Sequence, residues 1–375
     1  MNVMRIGVFI NTAGQAHFFR NIVRQLEADG HEVAIVARNQ GITCELLDEL
    51  EIPYYPYSST PDKSARITSF PWDILRAYRY LKEKRLDLIA GFGIYSTCAA
   101  RMLRVPDITF CDDEPMIYPA SYAVPFNFFR RFTGALVTPS SFRQALGKKQ
   151  IRVSSYKELA YLHPNHFSPD RGVYQLLGLP EGSDYVLLRF NAFDAIHDVG
   201  ITGFSGADKI GLVRELEKYA PVFISTYGEV PEEIRDRLLP VPKHRIHDVI
   251  SFAKLVVTDT GTTTTEAAML GTPAVRAMTF VKNDAGNWIE LEKKYGLIYS
   301  YVEPGKAIEK AVELIQQPDL RERWKAKRER MLQDKIDMTS YMVWFIENYP
   351  ESVTKVWHPA THHSYQPIVD AGTTP

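Results

Sequence analysis

Apolar and polar positions follow one repeating order along this chain. A short continuous apolar run comes first, then a polar turn, then a stretch with apolar residues every three or four positions. Arg5 to Ile10 (RIGVFI) is such a run, the pattern of a strand buried on both faces. Asn11 to Gln15 makes the turn. From His17 to Asp29, Phe18, Phe19, Ile22, Val23 and Leu26 keep a helical period. Gly30 stops that helix, and His31 to Ala37 predicts the next strand. The unit is βαβ, the opening of a Rossmann-like domain. It lacks GxGxxG, which argues against a dinucleotide.

The order recurs. Helix is predicted at Thr43 to Leu50, a short edge strand at Tyr54 to Tyr57, and a polar mobile loop at Ser58 to Ser69. A helix at Trp72 to Lys84, a strand at Leu86 to Gly91, a helix from Gly93 to near Leu103 and a strand at Asp107 to Cys111 follow. Gly134 to Val137 predicts the last strand of this domain. Pro164 and Pro169 mark Ser154 to Pro169 as a linker. Asp184 to Arg189 opens a second domain of the same kind. Its pattern predicts helices at Lys209 to Tyr219, Pro231 to Leu238 and His247 to Ala253, with a strand at Val222 to Ser225.

The most informative stretch is LVVTDTGTTTTEAAMLGTPAV, Leu255 to Val275. It predicts a buried strand, a hydroxyl-rich turn from Asp259 to Thr265, a helix starting at Glu266, and a stop at Gly271-Thr272-Pro273. A helix that starts on such a turn aims unpaired N–H groups and the positive end of its dipole at whatever lies above it, an anion site. Thr260, Gly261, Thr262, Thr263 and Thr264 would form the phosphate seat. Glu266 falls in the first helical turn, where a carboxylate suits the dipole; it could equally accept hydrogen bonds from two vicinal sugar hydroxyls. The plainer alternative is an ordinary βα turn before a capped helix. Arg189 ends a strand, and its planar fork can pair with a diphosphate. Phe190 to Ser205 is rich in Gly, Asp and aromatic residues without a helical period, as in an active-site loop; His197 inside it is a candidate phosphate or sugar contact.

Asp112-Asp113-Glu114 follows a predicted strand. Carboxylates crowded there repel one another, which raises a pKa and suits general acid/base work. The alternative is an acid-rich helix N-terminus with Asp112 as its cap. No further ligand spacing is visible, so no metal is expected.

Composition narrows the classes. The 375 residues suffice for two domains, and 45% hydrophobic with 24% charged residues suits a globular chain. A net charge of -1 offers no field to recruit nucleic acid. Three cysteines without metal spacing fit a reducing, cytoplasmic setting. The first apolar run is too brief for a signal peptide, and no run reaches the length of a membrane span. The inner membrane face stays open as a location, because Phe126 to Phe132 is aromatic and basic together and could touch lipid headgroups. The rival reading is a core-facing helix with outward arginines. Beyond Glu351 the polar tail predicts disorder.

Two segments carry a resemblance. Leu255 to Val275, and TAGQAHFFRNIVRQLEADGHEV from Thr12 to Val33, resemble GT-B proteins, a superfamily that includes glycosyltransferases and non-hydrolysing UDP-N-acetylglucosamine 2-epimerases. Over residues 4–346 the chain is most similar to the DUF354 family. The resemblance implies an α/β fold with two Rossmann-like domains facing across a cleft and a C-terminal helix crossing back. The domains would be residues 1–160 and 161–335, with the crossover helix at 336–350 and a tail at 351–375. It implies that Gly14 and His17 face the acceptor side, His17 as a general base or phosphate ligand, or as a mere helix cap. It places Lys157 and Glu158 along the cleft, with Tyr161 and Leu162 packed beneath. His17, Asp112, Asp113 and Glu114 would be catalytic. The implied activity is metal-independent transfer from a nucleotide-diphosphate sugar, uridine-linked, to a sugar or lipid-linked acceptor in polysaccharide or glycoconjugate synthesis. Epimerisation of a UDP-sugar and non-catalytic binding of a sugar nucleotide stay open, as does the oligomeric state. The nucleotide sugar is substrate, and no cofactor is expected.

Overall fold

The computed structural model describes residues 3–58, 63–191, 202–226, 228–355 and 357. Seven strands form the first sheet: β1 (Arg5–Ile10), β2 (Glu32–Arg38), β3 (Tyr55–Ser58), β4 (Leu88–Phe92), β5 (Asp107–Phe110), β6 (Ala135–Pro139) and β7 (Gln150–Val153). They lie in the order β3-β2-β1-β4-β5-β6-β7, every pair parallel. Helices α1 (Ala13–Ala28), α2 (Thr43–Glu49), α3 (Lys63–Glu83), α4 (Ile94–Leu103) and α5 (Ala120–Phe129) connect them. Short helices α6 (Leu159–Leu162) and α7 (Val173–Leu176) lead to the second lobe. There β8 (Val186–Phe190), β9 (Val222–Thr226), β10 (Leu255–Thr258), β11 (Ala274–Ala277) and β12 (Ile298–Tyr301) form a parallel sheet ordered β12-β11-β10-β8-β9. Its helices are α8 (Gly206–Leu216), α9 (Ile246–Phe252), α10 (Gly261–Leu270), α11 (Gly286–Lys293), α12 (Pro304–Ile315) and α13 (Leu320–Asp334). The last helix is α14 (Met338–Glu347).

The apolar run of β1 is continuous because it serves two layers. Ile6, Val8 and Ile10 pack with Phe18, Ile22 and Leu26 of α1 on one face. Phe9 packs with Val36 and Ile89 on the other. Thr12 caps α1, its side chain accepting from the Gln15 N–H.

Two chain crossings join the lobes, and they run side by side. The Ile336 N–H donates to the Ser154 carbonyl at 2.9 Å, and Ser155 Oγ donates to the Ile336 carbonyl at 2.7 Å. The second crossing feeds α14, which returns to the first lobe. Thr339 Oγ1 donates to the Ala160 carbonyl at 2.7 Å, and His31 Nε2 donates to Glu347 at 3.2 Å. His31 Nδ1 meanwhile accepts from the Met4 N–H, so this histidine ties the first βαβ unit to the returning helix.

Four segments differ from the expectations above. Residues 63–69 belong to α3, which carries Pro71 inside it, where the polar composition suggested a loop. Strand β7 extends the first sheet beyond the strand expected to be last; as an edge strand with Gln150 and Arg152 it has little apolar signal. Helix α10 begins at Gly261, five residues before Glu266. Glu351–Val353 forms a 3-10 turn whose Ser352 is buried, with Oγ donating to the Phe345 carbonyl at 2.7 Å.

Candidate active site

Strands β8 and β10 are neighbours, and Arg189 lies in register with Thr258. Two residues past β10 the chain turns into α10. Thr260 stands at the N-cap but does not cap with its side chain. Its hydroxyl pairs instead with Thr258 Oγ1 at 3.0 Å, and its own N–H donates to the same oxygen. Thr260 and Gly261 are half-buried and Thr262 is exposed. Among the described residues, the first N–H groups of this ten-residue helix therefore meet no capping side chain, and Arg189 lies one strand over. Gly261 is required here: a Cβ would sit 2.2 Å from Trp288 Cζ2. Arg189 Nη1 donates to Ser225 Oγ.

The early start of α10 changes the roles of the threonines. Thr263, Thr264 and Thr265 are buried within the helix, not displayed on a turn. Thr264 Oγ1 donates to the Thr260 carbonyl at 2.7 Å and Thr265 Oγ1 to the Gly261 carbonyl at 3.2 Å. Thr265 Oγ1 also accepts from Trp288 Nε1 at 3.0 Å. The mouth of the helix is thus Thr260, Gly261 and Thr262. Asp259 is buried beside it and accepts from the N–H groups of Asn191 at 2.6 Å and Phe204 at 3.4 Å, gathering both sides of the stretch after β8. Burial pushes its pKa up to about 6, against those N–H donors. His197 lies outside the described residues.

Glu266 sits in the second turn of α10, not the first as expected, and points into the contact between the lobes. Its Oε1 accepts from Tyr161 Oη and from His247 Nε2, both at 3.0 Å. The His247 ring meets His17 edge-on at 4.6 Å, and Tyr161 stacks on His17 at 5.3 Å. His17 Nδ1 accepts from Arg20 Nη1 at 3.3 Å, so a neutral ring carries its proton on Nε2. Burial foremost, then the neighbouring His247 and Arg20, hold the His17 pKa well below 6.5. Burial would raise the Glu266 pKa, but His247 and the hydrogen bonds from His247 and Tyr161 bring it below 4.5. At neutral pH this contact holds an uncharged His17 and an ionised Glu266. Gly14 lies half-buried in the first turn of α1, with open space where a Cβ would stand except for Thr12 Oγ1 at 4.0 Å.

The acidic triplet splits three ways. Asp112 pairs with Lys157 at 2.5 Å, and Lys157 lies 3.7 Å from Glu158. Burial alone would depress the Lys157 pKa, but Asp112 and Glu158 push it up. Burial pushes the Glu158 pKa up to about 7, with Lys157 opposing. Asp113 accepts from Tyr118 Oη at 2.7 Å. Glu114 is 1% exposed and reaches the other lobe. Its Oε1 accepts from the Gly286 N–H at 2.7 Å and the Arg143 N–H at 3.1 Å, while Oε2 accepts from Arg143 Nε at 3.1 Å. Among the described residues, no group of three or more His, Cys, Asp or Glu side chains is arranged to hold a metal ion.

Three members of this constellation were not singled out from sequence: Arg20, Trp288 and the side chain of His247. His247 meets Glu266 across 19 positions, from α9 to α10, and no local pattern reports that pairing.

A family model described as Glycosyltransferase Family 4 matches residues 12–153. No curated protein matches. Among solved structures, the Staphylococcus aureus MnaA–UDP co-structure superposes with a TM-score of 0.68 at 14% identity, covering 94% of this chain and 98% of that one. The UDP-GlcNAc 2-epimerase from Neisseria meningitidis bound to UDP-GlcNAc gives 0.62 at 12%, with 92% and 100% covered. Acinetobacter baumannii MurG gives 0.56 at 16%, with 92% and 99% covered. The fold is GT-B. Its two parallel-sheet lobes, of seven and five strands, fit that fold, and identities this low speak to fold alone.

Proposed function

We propose that this GT-B chain is a glycosyltransferase that takes a nucleotide-diphosphate sugar, uridine-linked, and works without a metal. Membership of the DUF354 family belongs to the same proposal. The observation that carries it is the uncapped start of α10 beside Arg189. The diphosphate would lie at the mouth formed by Thr260, Gly261 and Thr262, on the N–H groups of Gly261 and Thr262, with Arg189 as the charged partner and the helix dipole favouring the leaving anion. Among the described residues both hydrogen bonds to Glu266 fall on Oε1, so Oε2 is the oxygen that would meet ribose or sugar hydroxyls. Glu158, with a pKa near neutrality, is the group best suited to take the acceptor proton, steadied by Lys157 and Asp112. As the acceptor oxygen bonds to the sugar carbon, that carbon's bond to the diphosphate breaks and the nucleotide leaves as its diphosphate. His17, neutral with Nε2–H outward from Arg20, would donate to a substrate oxygen. Asp113, next to Asp112, would approach the acceptor.

One observation favours a second reading. The Asp112–Lys157–Glu158 cluster could remove and return a sugar proton, as an epimerase of a UDP-sugar requires. The two differ in what a purified donor does. An epimerase converts UDP-GlcNAc alone to its 2-epimer, read by NMR. A transferase leaves the sugar configuration unchanged and releases UDP rapidly only with acceptor. Saturable heat from UDP-sugar titration with neither turnover would leave a non-catalytic binder. If UDP-sugars raise the thermal midpoint of wild type and Arg189→Ala alike, the proposed seat is wrong.

A further inference from the structure

Six of the eleven large apolar side chains that stand exposed among the described residues lie between Trp72 and Phe132. That is one part of one lobe: α3, α4, α5 and the turns beside them. Trp72 is 63% exposed, Phe128 54% and Phe132 41%. Single exposed apolar residues need no explanation, but such a concentration does. Between the same three helices runs an open groove of about 470 Å³, lined by Phe70, Ile74, Cys98, Met102 and Phe129.

The charge around this face is predominantly positive. On α3, α4 and α5 the exposed acid among the described side chains is Glu83, at the end of α3; Asp73 is buried against Ser58 and Ser69. Arg76, Arg79, Arg101, Arg104 and Arg131 are all exposed. Arg101 lines the groove and lies over the Phe132 ring at 5.9 Å, so cation and aromatic share one spot. The chain as a whole has a net charge of -1, so the basic bias is local. Exposed Trp and Phe beside several arginines and a single exposed acid among the described side chains suit the boundary between headgroups and acyl chains. No described helix is long and apolar enough to cross a membrane, so contact would be from one side.

We propose that the α3–α4–α5 face docks on an anionic phospholipid bilayer, with Trp72, Phe128 and Phe132 entering the headgroup boundary and a hydrocarbon chain lying in the groove. The arginines supply attraction to the lipid phosphates, and the apolar side chains supply depth. This goes beyond the transferase reading and can be tested without any donor.

The full chain is sedimented with vesicles of phosphatidylglycerol and phosphatidylcholine, and with phosphatidylcholine alone. Binding about ten-fold stronger to the anionic vesicles, weakening with salt, is expected from a few arginines near the surface. Phe128→Ser/Phe132→Ser and Arg101→Gln/Arg131→Gln should each release the protein, while its thermal response to UDP stays that of wild type. Wild type on vesicles carrying brominated acyl chains should lose tryptophan fluorescence, and Trp72→Phe should lose much less; this reading does not depend on the serine variants folding. The proposal is overturned by absent or charge-independent vesicle binding, or by quenching unchanged in Trp72→Phe. A wild-type dimer that the phenylalanine variant splits would also overturn it, because a second copy would then cover the face.

Discussion

Helices α10 and α11 both begin between the lobes, and their first N–H groups meet opposite fates. The start of α11 is closed by the other lobe: Glu114 accepts the Gly286 N–H at 2.7 Å, a carboxylate at the positive end of a helix. Among the described residues the start of α10 has no such partner; Thr260 turns its hydroxyl to Thr258, and Arg189 lies one strand over. The two termini share a dipole and differ in what is placed before it. One joins the lobes as a clasp, and the other is where the proposed function seats a diphosphate. The same contrast sorts the acids. Glu114 is fixed by three donors, whereas Glu158 is buried beside a single lysine and titrates near neutrality.

That division predicts the largest effect at Glu158. If it moves the proton, turnover by wild type rises as pH passes about 7, where the carboxyl loses its proton. Glu158→Gln should lower the rate by about 10²–10⁴-fold and flatten that limb. A variant that keeps both rate and profile would return the role to another acid. Binding comes next. Arg189→Ala should weaken UDP by about 10–100-fold, the scale of one charge-assisted hydrogen bond of about 1.5–3 kcal/mol, with little change in the unliganded thermal midpoint. Glu114→Gln should do the reverse. Isothermal titration of both variants separates seat from clasp, and equal losses of affinity would erase the distinction.

The clasp itself has a smaller expected effect. A Cβ on Gly286 would stand 1.8 Å from the Ser141 carbonyl oxygen and 2.9 Å from Glu114 Oε1. Backbone must move, so Gly286→Ala should cost about 1–3 kcal/mol. Calorimetry would show a lowered midpoint, and small-angle scattering a larger radius of gyration if the lobes part. An unchanged protein would mean that Glu114 is not structural and is available for chemistry.

Much of the fold was legible because β1, β2, β8 and β10 are buried on both faces and so read as unbroken apolar runs. Helix starts were less legible. Four consecutive threonines suggest a turn, since β-branched hydroxyl residues are poor helix formers. They are helical here, with the Thr264 and Thr265 hydroxyls satisfied on carbonyls four residues earlier and Trp288 packed over Gly261. The polar run after Lys63 misled in the same direction. In the site, the residue types were visible and their pairing was not. Glu114 looked like one of three equivalent acids until its partner 172 positions away came into place. Sequence reports which groups can ionise; only the packed lobes show which are already engaged.

The smallest predicted effect concerns acid and the lobe contact at α10. His17 is held well below 6.5, so unfolding takes up a proton there; its contribution is complete above 6.5 and is lost as pH falls below that value. Glu266 is held below 4.5, so its contribution is complete above 4.5 and is lost as pH falls through its folded value. Between these limits His17 acts without Glu266. Glu158, at about 7, and Asp259 and Asp284, at about 6, act with opposite sign, because raised carboxyls favour the folded state as pH falls. The wild-type slope is therefore a balance, and the His17 share must be read as a difference. His17→Gln should remove up to about 1.4 kcal/mol per pH unit of acid sensitivity between pH 6.5 and 4.5, the ceiling for one proton. Urea unfolding of both proteins across that range measures it. Parallel stability curves would mean that His17 titrates normally and that the packed contact with Tyr161 and His247 opens freely in solution.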